Sequence, residues 1–518
     1  MERVIGIDLG TSYSVAAIIE NGKARVIPNA SGDNLTPSVY AENEKGEQFV
    51  GSLAKRLAAY HPDKTVFSIK RFMGTDYRVT VNGKSYTPQE ISAFILKKIK
   101  CDVEQHLKEP VSKAVITVPA YFNHAAREAT KEAGLIAGFE VLRIINEPTA
   151  AALAYGLDRQ EIKTILVWDL GGGTFDVSIM ELSNGFFHVK AVNGNNMLGG
   201  DDWDQRFVDH IAMRFSDTHG FDPRENKISH QRIKEVCEKA KKDLSDKIIV
   251  KCCLSQIPSP SGDFVDFEEM VDRRTFEDIT EDITGKLLLP TRQALSDAKL
   301  TIKEIDRVIL VGGATRMPAI QKLAENFFEK KPYLKMNPDE VVAIGAAIQA
   351  GILTGDIKDV ALVDVIPLSV GIETQGGLFA KIIPKNSTIP TSETQIFTTA
   401  QDNQTSMDFN VLQGERELAD DNFSIGQFQL TDITPLPRGD AKVEVSFAVD
   451  VNGILKVSAQ DLYSENQITI LIDSVSMLSE EQINQAVKDA ELYAEADFNR
   501  REKIKATIKA EHLINNES

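Results

Sequence analysis

The chain uses one short device at two distant places, and this repetition limits its fold more than any other feature. Residues 4–18 read VIGIDLGTSYSVAAI and residues 165–179 read ILVWDLGGGTFDVSI. Each copy is an apolar, β-rich run, a D-L-G turn with a hydroxyl residue soon after, and a second β-rich run. β-Branched flanks favour extended backbone and glycine permits the tight bend, so each copy predicts a strand–turn–strand hairpin. Two copies point to two related lobes facing each other.

Strand and helix signals alternate around these hairpins. AVITVPAY (114–121) predicts a strand ended by Pro119, and HAAREATKEAGLIAG predicts a helix closing at Gly138. RVILVGGATR (307–316) predicts a buried strand followed by a Gly-Gly turn. Such alternation implies an α/β region through about residue 356. The texture then changes. DVALVD (359–364) sets four apolar residues between aspartates, and the chain is strand-like from 365 to about 473. Val443, Val445, Phe447 and Val449 alternate with Glu444, Ser446, Ala448 and Asp450, the pattern of a half-buried antiparallel sheet. Asn452-Gly453 predicts a short hairpin turn before the next strand. Ser479 with Gln482 forms a capping-box signature, and Ile483, Ala486, Val487 and Ala490 continue at helical spacing. The expected segments are 1–358, a linker at 359–364, a sheet domain at 365–478 and a helical piece at 479–518 that packs on the sheet. A length of 518 residues agrees with more than one core.

Composition excludes several classes. A formal net charge of −18 argues against a general nucleic-acid binder and against an anionic membrane surface. No run approaches the roughly 18 uncharged apolar residues of a membrane helix. Asp8 interrupts the short apolar start, which argues against a signal peptide. Cys101, Cys237, Cys252 and Cys253 form no C-x-x-C pair and read as reduced thiols. The expectation is a soluble, cytoplasmic protein.

Phosphoryl transfer needs backbone N–H groups around phosphates, a divalent cation held by carboxylates, and a positioned water. The chain has no G-x-x-x-x-G-K-[ST] loop. The hairpins supply the ingredients another way. Gly10-Thr11 and Gly171-Gly172-Gly173-Thr174 offer amides and hydroxyls at turns, where backbone can approach an anion. Asp8 and Asp169 each stand where a strand enters such a turn. One carboxylate at a turn is commonly only an Asx cap; a facing pair could hold a hydrated Mg²⁺.

The motifs IDLGTSYS (7–14), VPAYF (118–122), INEPTAAALAYG (145–156), DLGGGTFD (169–176), LGGDDWD (198–204) and VGGATRMP (311–318) are jointly specific. With IPLSVGIET (366–374) and VLQGER (411–416), the chain resembles the seventy-kilodalton heat-shock chaperones from residue 4 to about 500. FMGTDYRVTVNGKSY (72–86) is most similar to the bacterial DnaK group, particularly its shorter-domain forms. The resemblance implies an α/β actin-like two-lobed ATPase domain, an all-β sandwich domain that binds peptides, and a helical lid; here the expectation is a short C-terminal helical segment, a departure from relatives that usually continue with a longer helical bundle.

Carried over by motif, the resemblance places Lys70 on the γ-phosphate and gives Glu147 the attacking water. Thr11, Tyr13 and Thr174 would touch phosphates, with Gly10, Ser12, Gly171, Gly172, Gly173, Gly199 and Gly200 completing the nucleotide-binding turns. Asp8, Asp169 and Asp176 would surround the metal and water. Adenosine would meet Glu238, Lys241 and Ser245, spaced along one side of a helix, with Gly312, Gly313, Arg316 and Asp339. That charged helix alone would read as a solvated face. Lys242 stands where some relatives carry Arg, and Ala314 where many carry Ser.

Val370, Ile372, Phe397, Met407 and Phe409 would line the peptide cleft, and Gln375 and Ala400 its arch, although each apolar residue alone is a better bet for core packing. Pro119, Arg127, Arg143, Leu362 and Asp364 would relay between domains through a linker that docks when ATP is bound. His124 replaces an acidic residue common in related bacterial chains. The implied cofactors are ATP or ADP, Mg²⁺ and K⁺. The implied partners are unfolded hydrophobic peptides, a J-domain co-chaperone and a GrpE-type exchange factor near Gly32. The lid is expected to be short and peptide exchange fast. The rival readings are an actin-like sugar or acetate kinase, and an exchange factor or holdase that has lost turnover.

Overall fold

The computed structural model describes residues 3–156, 163–183, 185–358, 360–464 and 467–471. The helix expected from Ser479 through Ala490 lies outside the described residues. Met1–Tyr121 with Ala129–Leu362 form one compact unit, and Phe122–Glu128 with Val363–Ser518 form the other.

The first unit is built on the two hairpins. β1 (Val4–Asp8) and β2 (Tyr13–Glu20) pair antiparallel, with Asp8 opposite Val15, and β3 (Lys23–Ile27) continues the meander. β4 (Lys113–Val118) lies parallel to β1 on its other side, with β5 (Glu140–Asn146) beyond it. The second sheet repeats the arrangement. β6 (Lys163–Leu170) and β7 (Phe175–Ser183) pair antiparallel with Asp169 opposite Asp176, and β8 (Phe186–Asn195) follows. β9 (Arg307–Val311) lies parallel to β6. In both sheets the strand carrying the D-L-G aspartate is sandwiched between its hairpin partner and a parallel neighbour. Each aspartate therefore leaves the carboxyl end of a central strand, where open α/β sheets place their ligand crevices.

Small residues set the spacing of the helices that cross the sheets. α1 (Glu147–Gly156) and α4 (Val341–Thr354) are buried nearly all round, as an apolar helix must be; between them in sequence run α2 (Gly200–His219) and α3 (Lys227–Asp246). A Cβ on Gly345 would sit 1.7 Å from the Ala150 carbonyl oxygen, so α1 and α4 touch backbone to backbone. Behind the second sheet, Trp168, Phe175, Trp203, Phe207 and Phe215 form an aromatic core with α2 and α3.

The second unit contains two antiparallel sheets. One runs Leu378–Ile383, Val370–Thr374, Met407–Gln413, Phe423–Leu430 in spatial order, and the other Thr391–Thr398, Lys442–Val449, Leu455–Asp461, Gln467–Leu471. The alternation read from Val443 to Val449 holds, since Val443, Val445 and Phe447 are fully buried while Glu444, Ser446 and Ala448 are partly exposed. The turn at Asn452-Gly453 is longer than the short hairpin expected. Val449 pairs with Leu455, and the Asp450 carboxylate accepts the N–H groups of Asn452 and Ile454 at 2.8 and 2.9 Å. That Asx device organises residues 450–454 as one loop. Within the same unit, Arg127 donates to the Phe122 and Asn452 carbonyls, and His124 Nδ1 accepts the Leu455 N–H at 3.1 Å.

The apolar linker is a strand from Ala361 to Val365, and Asp359 lies outside the described residues. In the first unit, the Ala361 N–H donates to the Gly185 carbonyl at 3.0 Å. In the second, Asp364 and Val365 pair with Ile389 and Thr388.

Candidate functional site

The turns of both hairpins open into one cleft of about 1070 Å³ within the first unit. Asp8, Gly10, Thr11, Ser12 and Tyr13 line one wall, and Asp169, Gly171, Gly172 and Thr174 the other. Lys70, Glu147, Gly200, Glu238, Lys241, Ser245, Gly312, Gly313, Arg316 and Asp339 complete it, so residues scattered over 332 positions of sequence meet in one crevice. Gly173, Gly199 and Asp176, also expected at the site, do not line the cleft; Asp176 stands opposite Asp169 in the hairpin, Gly173 packs on Thr11 and Gly199 on the backbone of Gly172.

Two glycines show why the turns must be bare. A Cβ on Gly199 would lie 2.4–2.5 Å from the Gly172 and Gly173 backbone. This close approach lets Gly200 and Asp201 donate their N–H groups to the Gly171 and Gly172 carbonyls at 2.9 and 2.8 Å, tying the start of α2 to the turn. Gly312 has φ +84°, and a Cβ there would meet the Leu170 carbonyl oxygen at 2.3 Å.

The hairpin end of the cleft is crowded with acid. Lys70 lies on a short 3₁₀ turn, Ile69–Phe72, and forms a buried ion pair with Glu147, the first residue of α1. The Thr117 hydroxyl stands 3.3 Å from Asp8 and 3.5 Å from Glu147. Burial, then the charge of Glu147, pushes the Asp8 carboxyl up to about 7. Burial, then Glu147 and Asp176, likewise drives the Asp169 carboxyl well above the usual carboxylate range. Asp176 Oδ1 accepts the Tyr121 N–H at 3.0 Å, whereas Asp169 Oδ2 is buried without a hydrogen-bond partner among the described residues.

Unpaired buried carboxylates are costly unless they protonate or meet a cation. The donor set is all oxygen and suits a hard divalent ion. Among the described residues no three His, Cys, Asp or Glu side chains converge as a metal cage. Mg²⁺ is a hard divalent ion of this kind, one that keeps several waters and takes one or two carboxylates.

The far end is organised differently. Lys55 and Lys242 both reach Glu238, at 2.7 and 2.5 Å, and both lie over the Tyr13 ring at 5.6 and 5.0 Å. Burial would raise the Glu238 carboxyl, but the two ammonium groups outweigh it and hold it at about 2. Lys241 donates to the Gly200 carbonyl at 2.9 Å and to Asp204 at 2.6 Å; burial lifts the Asp204 carboxyl to about 6 even so. Arg316 pairs with Asp339 at 2.6 Å and with Asn337 at 2.7 Å.

The lobes are further joined by contacts the sequence reading missed. The Ser68 hydroxyl donates to Asp201 at 2.6 Å, and Arg71 donates to Asp202 at 2.7 Å. Ser68 and Arg71 flank Lys70, and Asp201, Asp202 and Asp204 lie inside LGGDDWD, so a closer look at those motifs could have found them. Nothing in sequence marked Lys55.

A family model described as Hsp70 protein matches residues 4–518. The chain belongs to the Hsp70 family. Members of this family are chaperones and ATPases that bind ATP or ADP with Mg²⁺, and this disfavours the small-molecule kinase.

The residues the resemblance assigned to the Hsp70 peptide cleft lie in the second unit. Val370, Ile372 and Phe409 are buried, Phe397 and Met407 are half-buried, and Gln375 and Ala400 are exposed. Ile372 stands opposite Val411, so Ile372, Phe409 and Met407 share one face of a sheet, while Phe397 belongs to the other sheet. Phe409 stacks on Phe428 with centroids 4.9 Å apart.

The expected relay residues are spread over both units. Pro119 is buried after β4, Arg143 on β5 has a buried Nε, and Leu362 is half-buried. Arg127 holds the Phe122 and Asn452 carbonyls, and the buried Asp364 carboxylate accepts the Val365 N–H at 2.8 Å.

Proposed function

We propose that this Hsp70 protein hydrolyses ATP slowly in the cleft and uses the nucleotide state to control its grip on extended hydrophobic peptides in the second unit. The observation that carries the reading is the buried Lys70–Glu147 pair set between two aspartate hairpins in one crevice. Phosphoryl transfer leaves little covalent work to the protein; it requires positioning and compensation of developing charge.

Lys70 supplies an ammonium at the γ-phosphate, and Glu147, oriented by that ammonium and by Thr117, aligns the attacking water. Thr11, Tyr13, Thr174 and the amides of Gly10, Ser12, Gly172 and Gly173 hold the phosphates, with Gly171 closing the turn by its own N–H bond to the Thr174 carbonyl at 3.0 Å, while Asp176 helps to order the water. Asp8 and Asp169 would hold Mg²⁺, which neutralises charge on the phosphate oxygens, and K⁺ would add to that compensation. Glu238, Lys241, Ser245, Gly312, Gly313, Arg316 and Asp339 receive the nucleoside.

Val370, Ile372, Phe397, Met407 and Phe409 would receive peptide side chains, with Gln375 and Ala400 over the cleft. Pro119, Arg127, Arg143, Leu362 and Asp364 would carry the coupling, with a J-domain partner accelerating hydrolysis and a GrpE-type factor accelerating exchange. A reducing cytoplasmic setting suits the four cysteines, all free among the described residues. If ATP and peptide favour different states, each weakens the other's binding by the same factor.

Labelled-peptide release measured with and without ATP tests the cycle: release accelerates with ATP, and equal rates would refute it. Peptide-stimulated ATP hydrolysis, compared with phosphate transfer to metabolites, separates this reading from a kinase.

A further inference from the structure

Lys70 sits on a turn gripped on both sides by the other lobe. The 3₁₀ turn Ile69–Phe72 follows Ser68 and closes with an Arg71 N–H bond to the Ser68 carbonyl at 3.1 Å. Ser68 has φ +51° and ψ +29°, a left-handed conformation that a residue with a Cβ adopts only at a cost. Other such residues have ordinary reasons: Lys108 and Glu329 end helices, and Asn21 and Asn82 precede glycine in turns. Ser68 instead opens a turn, and it lines the cleft.

Serine is a favoured residue at the start of a helical turn, where its hydroxyl accepts a backbone N–H. Ser68 makes no such bond. Its hydroxyl donates across the cleft to Asp201 Oδ2 at 2.6 Å. The other oxygen of that carboxylate stands 3.5 Å from the Ser12 hydroxyl on the first hairpin turn. Three residues along, Arg71 Nη2 reaches Asp202 Oδ2 at 2.7 Å, and that oxygen also accepts the Gly199 N–H at 2.7 Å. Asp201 and Asp202 belong to the first turn of α2, which the Gly171 and Gly172 carbonyls tie to the second hairpin. Between these two anchors Lys70 pairs with Glu147.

Carboxylates in the first turn of a helix are favourable there without any partner. Helix stability therefore does not explain why both are turned onto the segment carrying Lys70. A costly backbone conformation persists only where its surroundings enforce it, and a charge-assisted hydrogen bond is strong enough to do so.

We propose, on the reading that Lys70 acts at the γ-phosphate, that Asp201 is a positioning residue for hydrolysis. By holding Ser68 left-handed it fixes the turn that presents Lys70, and Asp202 steadies the same turn through Arg71. Lys70 is then in place only when the second lobe is closed on the first. ATP that binds without bringing the lobes together is not hydrolysed.

Single-turnover hydrolysis by the full chain at saturating ATP provides the test. Asp201→Ala and Ser68→Ala should each slow hydrolysis by about 10–100-fold, the effect of misplacing a reacting group by about an ångström. ATP affinity, measured by calorimetry, should change by less than about threefold. The double variant should be no slower than the slower single one, because both changes remove one contact. Glycine adopts positive φ without penalty, so Ser68→Gly should hydrolyse ATP several-fold faster than Ser68→Ala. It should also restore part of the rate lost in Asp201→Ala, which a merely structural contact would not allow. Should Asp201→Ala not fold, the comparison of Ser68→Ala with Ser68→Gly still decides. Wild-type rates in the alanine variants, or equal rates for Ser68→Ala and Ser68→Gly, overturn the proposal. Lys70→Ala separates the two levels: it should abolish turnover whatever Asp201 does, and a normal rate in Lys70→Ala would remove the reading of the site itself.

Discussion

The two ends of the large cleft treat the same functional group in opposite ways. Where the hairpins meet, Asp8 and Asp169 share a buried space with Glu147, and Lys70 is the cation acting on both. Their carboxyls are driven up. On α3, Glu238 lies between Lys55 and Lys242 and is held at about 2. The difference lies in the balance of charge, since burial pushes all three upward. One end carries an acid surplus that a divalent cation would relieve; the other is already neutralised by its own lysines. A site for Mg²⁺ with polyphosphate needs the first arrangement, and a nucleoside pocket is well served by the second.

Glu147→Ala tests this contrast with the largest effect. Turnover should fall about 10²–10⁴-fold, measured as single-turnover hydrolysis, while ATP binding measured by calorimetry is retained. Undiminished turnover would remove Glu147 from the chemistry.

The next effect is on stability against pH. Asp8 has a folded value of about 7 against an ordinary value of 3.8, so its neutral form favours the fold. That contribution is fully present below about 4 and is lost as pH rises through about 7, amounting to a few kcal/mol. In chelator, urea unfolding should therefore show stability falling across this window. Mg²⁺ should restore it at the upper end, and Asp8→Asn should flatten the slope. A metal-free protein whose stability is level from pH 4 to 7 would contradict the acid surplus.

Gly199→Ala comes third. Its Cβ would enter the backbone of Gly172–Gly173, so about 1–3 kcal/mol of stability should be lost, together with at least about a tenfold loss of nucleotide affinity if the turn shifts. Normal affinity would show that the turn tolerates displacement.

Glu238→Gln should cost least, about 1 kcal/mol or less, because its lysine partners are partly solvated. Its stabilising contribution is present above the ordinary value of 4.5 and is lost as pH falls through about 2, the reverse of Asp8. Urea midpoints at pH 3 and 7 measure it, and a cost equal to that of disturbing Asp8 would erase the contrast between the two ends.

Much of this was legible beforehand because local chemistry carried it. The D-L-G hairpins, the strand before Pro119, the helix closing at Gly138 and the alternation from Val443 to Val449 depend on propensity and period, which neighbouring residues report. The Asn452-Gly453 turn was misjudged in length because Asp450 organises a wider loop by side-chain hydrogen bonds. Lys55 escaped notice because a lysine on a short helix, Ser52–Leu57, looks like any solvated lysine until α3 is brought beside it.

By itself the sequence determined that the chain carries two matched aspartate turns, an α/β region followed by a β region, and the motif set of one family. Tertiary structure decided that Asp8 and Asp169 share a crevice, and which acids within it are pushed up or held down. Hairpins form from contacts a few residues apart. The charge state of a buried carboxyl depends on the depth of burial and on every charge within a few ångströms, and only the completed fold brings those charges together.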